Sequence, residues 1–317
     1  MIKIFKVDNM EYTPFSRQIE KFAGDEILFT DIAESCDIFV SRYFHKLKPI
    51  IRQYSSSKKY LVWTHEPRFD THFNKKVFWE GVDVNIMNIY TGNIYVDNYY
   101  FFWRVKRHII LDSQVDKFYR EKQKKIAALI KNCQWNTSLI YNGRELDLYE
   151  LRKNIALHGY QLGKIDIYGK GWLENIVIEN SRSGEWHERK LEILRKLEIL
   201  QKYHFNLCFE NTIANYYCTE KIWDSIMVGC LPIYYGGENS TIYEDFEKNS
   251  FLDYTEFTDA NELFEYIEAM TIEEFNERLN LCIQTFNKTY DKVKEVKPIE
   301  RLVRNTLQKL KEIKEEY

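Results

Sequence analysis

At 317 residues the chain is too long for one small core and suits two α/β domains of ordinary size. Its 45 Lys and Arg stand against 48 Asp and Glu, a net charge of −3, which argues against a whole-molecule grip on nucleic acid and leaves any basic site local. No run of about 18 apolar residues occurs, and Met1-Ile2-Lys3-Ile4-Phe5-Lys6 interrupts its apolar residues with charge, so neither a membrane span nor a secretory signal is expected.

In chain order, short β-branched runs alternate with polar helix-forming stretches, the pattern of βαβ units with parallel sheets. The first set of expected strands is Ile2 to Val7, Asp37 to Phe44, Tyr60 to Thr64 and Val84 to Tyr90, with a surface loop over Gln53 to Lys59. After a charged segment, Asp116 to Lys125, a second set follows: Ile126 to Ile130, Lys164 to Tyr168, Phe205 to Phe209, Leu231 to Tyr235 and Phe251 to Tyr254. The charged segment is the expected domain boundary. Its Lys122, Lys124 and Lys125 read as a solvated helix or linker rather than a nucleic-acid patch. Between Tyr168 and Phe205, leucines 191, 194, 197 and 200 are expected to form one buried helical face. From Pro298 onward Ile299, Leu302, Val303, Leu307 and Leu310 form the apolar side of a helix expected to dock on the protein rather than on a membrane.

The segment richest in chemistry runs from Phe205 to Gly237 and reads as strand, polar loop, helix and strand. Thr219 suits the N-cap, Ile222, Trp223, Ile226 and Met227 the buried face, and Gly229 the helix end. Lys221 then falls in the first helical turn, where free N–H groups and the helix dipole already favour an anion such as a diphosphate. Glu210 and Asn211 lie at the carboxyl end of a parallel strand, where open α/β sheets bind ligands. The competing reading makes Lys221 a solvated charge and Glu220 a first-turn acid.

Together, Phe209-Glu210-Asn211, the Tyr217-Cys218-Thr219-Glu220-Lys221-Ile222 run and Pro232-Ile233-Tyr234-Tyr235-Gly236 resemble the signature of the family 10 α-1,3-fucosyltransferases. Asn215-Tyr216 stand where many members carry glycine or aspartate, and Cys218 where valine is usual; neither touches the charged core of the motif. Leu61 to Pro67, containing Trp63, Glu66 and Pro67, resembles the family's Trp-x-x-Glu-Ser-Pro element without its serine, and Val84 to Tyr100 resembles the strand and turn that follow. Arg152 occupies the place of the family's phosphate-binding arginine, with Arg144 a nearby rival.

The resemblance implies an α/β protein of two Rossmann-like domains facing across a cleft, the GT-B type. Residues 1–120 would bind the acceptor, 121–295 would bind GDP-fucose and 296–317 would form a C-terminal amphipathic helix. It implies inverting transfer of fucose from GDP-fucose to a hydroxyl of an oligosaccharide acceptor, N-acetylglucosamine in an N-acetyllactosamine-type unit. Glu66 would be the base, Lys221 and Arg152 would hold the diphosphate, and Asn211, Tyr217 and Glu220, with Glu210 beside them, would hold donor sugar or ribose. An exposed Glu66 paired with Arg68 is the competing reading of that acid. Another nucleotide sugar, or a non-catalytic carbohydrate-binding protein of the same fold, are the alternatives. With no Asp-x-Asp triplet and no His-x-x-x-His or His-Glu-x-x-His pattern, no essential metal is expected; His65 and His72 are spaced as loop residues. The 23 Tyr, 20 Phe and 7 Trp fit either an aromatic core or clefts that hold sugar against ring faces. Six scattered cysteines without a Cys-x-x-Cys pair suggest reduced thiols and a cytoplasmic enzyme, with peripheral membrane attachment as the alternative.

Overall fold

A computed structural model describes residues 1–16, 18–104, 123–133, 138–179, 186–237 and 239–316. The chain divides into two compact units, Met1–Val96 with Val296–Tyr317, and Asp97–Glu295. The cut after Val96 precedes the charged segment, of which residues 116–122 lie outside the described ones.

In the first unit, strand β1 (Ile2–Lys6) is followed by helix α1 (Gln18–Ala23), β2 (Ile27–Phe29), β3 (Ile38–Ser41), α2 (Phe44–Tyr54), β4 (Lys59–Trp63), β5 (Lys76–Trp79) and β6 (Val82–Met87). The sheet order is β2-β1-β3-β4-β6-β5, parallel except for β5. Every residue of β3 is buried, as expected of a parallel strand covered on both faces. The edge strand β5 alternates exposed and half-buried residues and turns into β6 through Glu80-Gly81, both at positive φ, a two-residue hairpin.

In the second unit, β7 (Gln123–Leu129) leads to a small hairpin, β8 (Ile140–Tyr141) and β9 (Arg144–Glu145), closed by Asn142-Gly143 at positive φ. Then come α3 (Tyr149–Gln161), β10 (Ile165–Tyr168), β11 (Val177–Glu179), α4 (Trp186–Leu200), β12 (Tyr203–Leu207), α5 (Glu220–Met227), β13 (Leu231–Tyr234), β14 (Leu252–Asp253), α6 (Ala260–Ala269) and α7 (Ile272–Val296). The sheet is wholly parallel, ordered β11-β10-β7-β12-β13-β14. That is the doubly wound order of a Rossmann unit, with the switch point between β7 and β12. Trp223 of α5 is fully buried, edge-on to Phe102 at 4.9 Å and packed on Phe246 at 5.1 Å.

Lys297, at φ +48, and Pro298 break the chain after α7, because a residue before proline is disfavoured in the α region. The last helix, α8 (Pro298–Glu315), returns to the first unit and buries Leu302, Val303, Thr306, Leu307, Leu310 and Ile313. Thr306 Oγ1 accepts a 3.2 Å hydrogen bond from Trp63 Nε1. The polar side of α8 carries ion pairs of Lys311 with Glu26 and of Lys314 with Asp37.

All nine expected strands exist, most of them shifted or shortened at the ends. Asp37 to Phe44 holds only β3 before α2 begins at Phe44, and the expected loop Gln53 to Lys59 is the end of α2, a 3₁₀ turn at Ser55–Ser57 and the start of β4. The leucine face of α4 is corrected as well: Leu194 is 50% exposed whereas Ile199 and Leu200 are buried, and Leu191 has no described side chain. A strict three-residue spacing drifts by about 60° per step, so four such leucines cannot share one face. Among the described residues, no helix is long and apolar enough to cross a membrane. All six cysteines are free and buried.

Candidate active site

The second unit's switch point collects the charged residues of the sequence motif. β12 runs out through Cys208 and Phe209 into Glu210, and α5 starts at Glu220 after a loop pinned to the segment before α3. Leu148 N–H donates to Asn211 O at 3.1 Å, Ile213 N–H donates to Leu146 O at 2.8 Å, and Asp147 bridges Thr212. These bonds bring the first turn of α3, which carries Arg152, against the end of β12.

Thr219 does hold the N-cap position of α5, but its side chain makes no cap hydrogen bond. Its hydroxyl donates instead to the Glu210 carboxylate at 2.7 and 2.8 Å, and its N–H donates there at 2.7 Å. Lys221 Nζ donates to Glu210 Oε2 at 2.8 Å and to Thr219 Oγ1 at 2.6 Å. Glu210 is therefore the anchor that holds the start of α5 and the lysine together. Burial works against the Lys221 ammonium, but Glu210 and then Glu220 outweigh it and raise its pKa. Lys221 is thus a paired, charged group, and the solvated alternative does not describe it.

Arg152 is buried, with its Cζ 4.5 Å from the centre of the Tyr149 ring. Its Nη1 donates to Phe209 O at 3.0 Å, while its Nε has no hydrogen-bond partner among the described residues. Burial pushes its pKa below the ordinary value, opposed by Tyr149 and Glu210. Arg152 and Lys221 thus flank the Glu210 carboxylate beside a helix N-terminus, with Glu220, Lys196 and Asp224 paired next to them. An anion there would meet the orphaned Nε and the N–H groups of the helix start.

A cavity of about 170 Å³ opens beside this cluster, lined in part by Arg144, Glu210, Thr212, Tyr217, Tyr234 and Gly236. That is below the few hundred Å³ of a typical small-molecule site, so it has room for part of a donor only. Arg144 is exposed on the hairpin and reaches this cavity, whereas Arg152 belongs to the Glu210 cluster. The cavity lip was not legible as a site in the sequence. Asp253 accepts hydrogen bonds from Gly236 N–H at 3.0 Å, Gly237 N–H at 2.8 Å and Tyr243 OH at 2.7 Å. A Cβ on Gly236 would lie 2.4 Å from Asp253 Oδ2, so any larger residue there must displace the carboxylate from its hydrogen bonds.

Tyr217 is buried on the cavity wall, and Asn211 is half-buried just beyond Glu210. Glu220 acts on Lys221 and has its carboxylate 3.6 Å from Lys196, which also donates to Asp224 at 2.7 Å. Glu66 lies in the first unit, half-buried in the turn that follows β4, with its N–H donating to Thr64 Oγ1 at 3.2 Å. His72 Nε2 lies 3.7 Å from Asp70, and the described residues contain no group of three His, Cys, Asp or Glu placed to hold a metal ion.

A doubly wound parallel sheet with Arg152 and Lys221 at its switch point places the second unit among the Rossmann-like α/β folds. The model of glycosyltransferase family 10 (fucosyltransferase), C-terminal part, matches residues 119–280, just over half of the chain, and the chain belongs to that family. The match includes Arg152, Glu210, Asn211, Tyr217, Glu220 and Lys221 and stops short of Glu66. An α-(1,3)-fucosyltransferase of Helicobacter pylori is 40% identical over 78 residues, 25% of this chain and 16% of that protein. The GDP-fucose protein O-fucosyltransferase 3 of Homo sapiens is 36% identical over 72 residues, 23% of this chain and 15% of that protein. The alignments thus span about one-sixth of the length of these relatives. Among solved structures, an α1,3-fucosyltransferase with GDP-fucose is similar over 93% of this chain and 90% of that one, at 16% identity and a TM-score of 0.46.

Proposed function

We propose that this chain transfers fucose from GDP-fucose to a hydroxyl of a glycan acceptor, with inversion at the anomeric carbon. The observation that carries the reading is the placement of Lys221 and of Arg152, with its orphaned Nε, around Glu210 at the start of α5. In this reading the acceptor oxygen bonds to the anomeric carbon as its bond to the diphosphate breaks. Lys221 and Arg152 stabilise the charge that gathers on the departing GDP. Glu66 takes the proton of the acceptor hydroxyl. Asn211, Tyr217 and Glu220 hold donor sugar or ribose, and Glu210 acts by fixing Lys221 and Thr219. The acceptor is N-acetylglucosamine within an N-acetyllactosamine-type unit, and no metal ion is essential.

Calorimetric titration with GDP and UDP, followed by linkage analysis of the product formed from GDP-fucose and N-acetyllactosamine, tests the reading. Preference for GDP and an α-1,3-linked product are expected; preference for UDP would assign the chain to another donor. Glu66→Gln should keep GDP affinity within about twofold while transfer falls by about 10²–10⁴. Transfer at the wild-type rate would remove Glu66 from the role of base.

A further inference from the structure

The first unit has a switch point of its own, between β1 and β3, and that is where an open parallel sheet offers a second ligand crevice. Asp8 follows β1 there, Ser41 ends β3, and Arg42 and Tyr43 lead from it into α2. The buried Asp8 carboxylate accepts the Ser41 hydroxyl at 2.5 Å, Arg42 N–H at 3.1 Å and Arg42 Nε at 3.4 Å. This fixes the guanidinium with its Cζ 5.7 Å from the ring centres of both Tyr43 and Phe69. The two rings stack at 5.4 Å and 29°. Phe69 is 40% exposed, so the stack leaves part of its ring open to solvent.

Phe69 belongs to the same turn as Glu66, with Phe69 N–H donating to Glu66 O at 3.3 Å. Beyond it the loop is pinned by the buried Asn88, whose amide donates to Asp70 O at 3.4 Å and His72 O at 2.9 Å. A rigid, half-bare ring one turn from a carboxylate, flanked by guanidinium donors, has the chemistry of a sugar subsite. The C–H face of a pyranose packs on the ring's electron-rich face, and its hydroxyls meet the polar rim.

We propose that Phe69, backed by Tyr43 and Arg42, is the platform on which a pyranose of the acceptor seats. The assignment rests on the transferase reading above, since it places the acceptor over the turn that supplies the base.

The test compares wild type with Phe69→Ala, Phe69→Leu and Phe69→Trp, using N-acetyllactosamine as acceptor, GDP-fucose as donor and GDP titration as the control for the second unit. Phe69→Ala and Phe69→Leu should raise the KM for N-acetyllactosamine about tenfold with GDP affinity unchanged, and Phe69→Trp should restore it. Leucine keeps the apolar packing and loses the ring face, so a purely structural role predicts rescue by leucine. Such rescue, or an acceptor KM unchanged in Phe69→Ala, overturns the platform and leaves the transferase reading standing. A wild-type protein that binds GDP but transfers nothing to N-acetyllactosamine overturns this acceptor assignment. One that does not bind GDP overturns the underlying reading, and the platform with it.

Discussion

Glu210 shows how much of a site depends on what one carboxylate touches. Its residue type and its place at a strand end were legible, as were Lys221 and Glu220 at a helix start. Its partners were not, because eight loop residues, 211–218, separate it from Thr219, and spacing along an irregular loop does not fix which cation a carboxylate meets. The same limit hid Asp253, whose three contacts with Gly236, Gly237 and Tyr243 come from residues at least ten positions away. Because the Glu210 side chain is only 4% exposed, removing Lys221 alone takes away its hydrogen-bonded cation and leaves only Arg152 nearby to offset the buried carboxylate. Lys221→Met should destabilise the protein toward the lower end of roughly 3–5 kcal/mol, since the lysine itself keeps some exposure. Adding Glu210→Gln removes the carboxylate that lost its hydrogen-bonded cation and keeps an oxygen for Thr219, so the double variant should recover part of that loss in urea denaturation while GDP binding stays weak. A double variant as unstable as the single one would show that the ion pair does not hold this helix.

At the scale of elements, apolar runs located every long parallel strand, because burial on both faces leaves an unbroken hydrophobic signal. β2, β5 and β11 were missed for the converse reason: they are three or four residues long and partly exposed, so no run stands out. The α5 boundaries were legible from Thr219 and Gly229. Gly229 adopts φ +68, its N–H donates to Ile226 O at 2.9 Å and Cys230 N–H donates to Ser225 O at 2.9 Å, a pattern that terminates a helix. The turn after β4 was legible as chemistry and not as a buried element. Burial, with repulsion from Arg42, lowers the His65 pKa to about 4. The unfolded chain, with its ordinary value of about 6.5, then binds more protons than the folded one between those values, so His65 costs stability as pH falls from 7 toward 4. At pH 5 the loss amounts to about 2 kcal/mol. Asp70 in the same loop acts in the opposite sense, because burial raises its carboxyl pKa. The difference between wild type and His65→Gln therefore isolates the histidine: the variant should show a shallower fall of melting temperature from pH 7 to 5. Equal slopes would place His65 in solvent.

On the scale of the molecule, the chain builds its first unit from both ends. The C-terminal helix was legible as amphipathic, but a periodic stripe says only that a helix buries one face, not which core receives it. Leu310 and Ile313 are fully buried in the first unit, whereas Cys282, Ile283 and Phe286 of α7, just before the Lys297-Pro298 break, are buried in the second. One side chain at either side of that break should therefore report on one unit. Leu310→Ala should cost about 2–5 kcal/mol through lost burial and the cavity left behind. GDP, on the reading above, stabilises the second unit in proportion to the logarithm of its concentration over Kd. Differential scanning calorimetry should then resolve two transitions: one lowered by Leu310→Ala and indifferent to GDP, the other raised by GDP and indifferent to the substitution. A single transition that both changes move would mean that the units unfold as one cooperative body, and the GDP affinity of Leu310→Ala at 25 °C would then report on the whole chain.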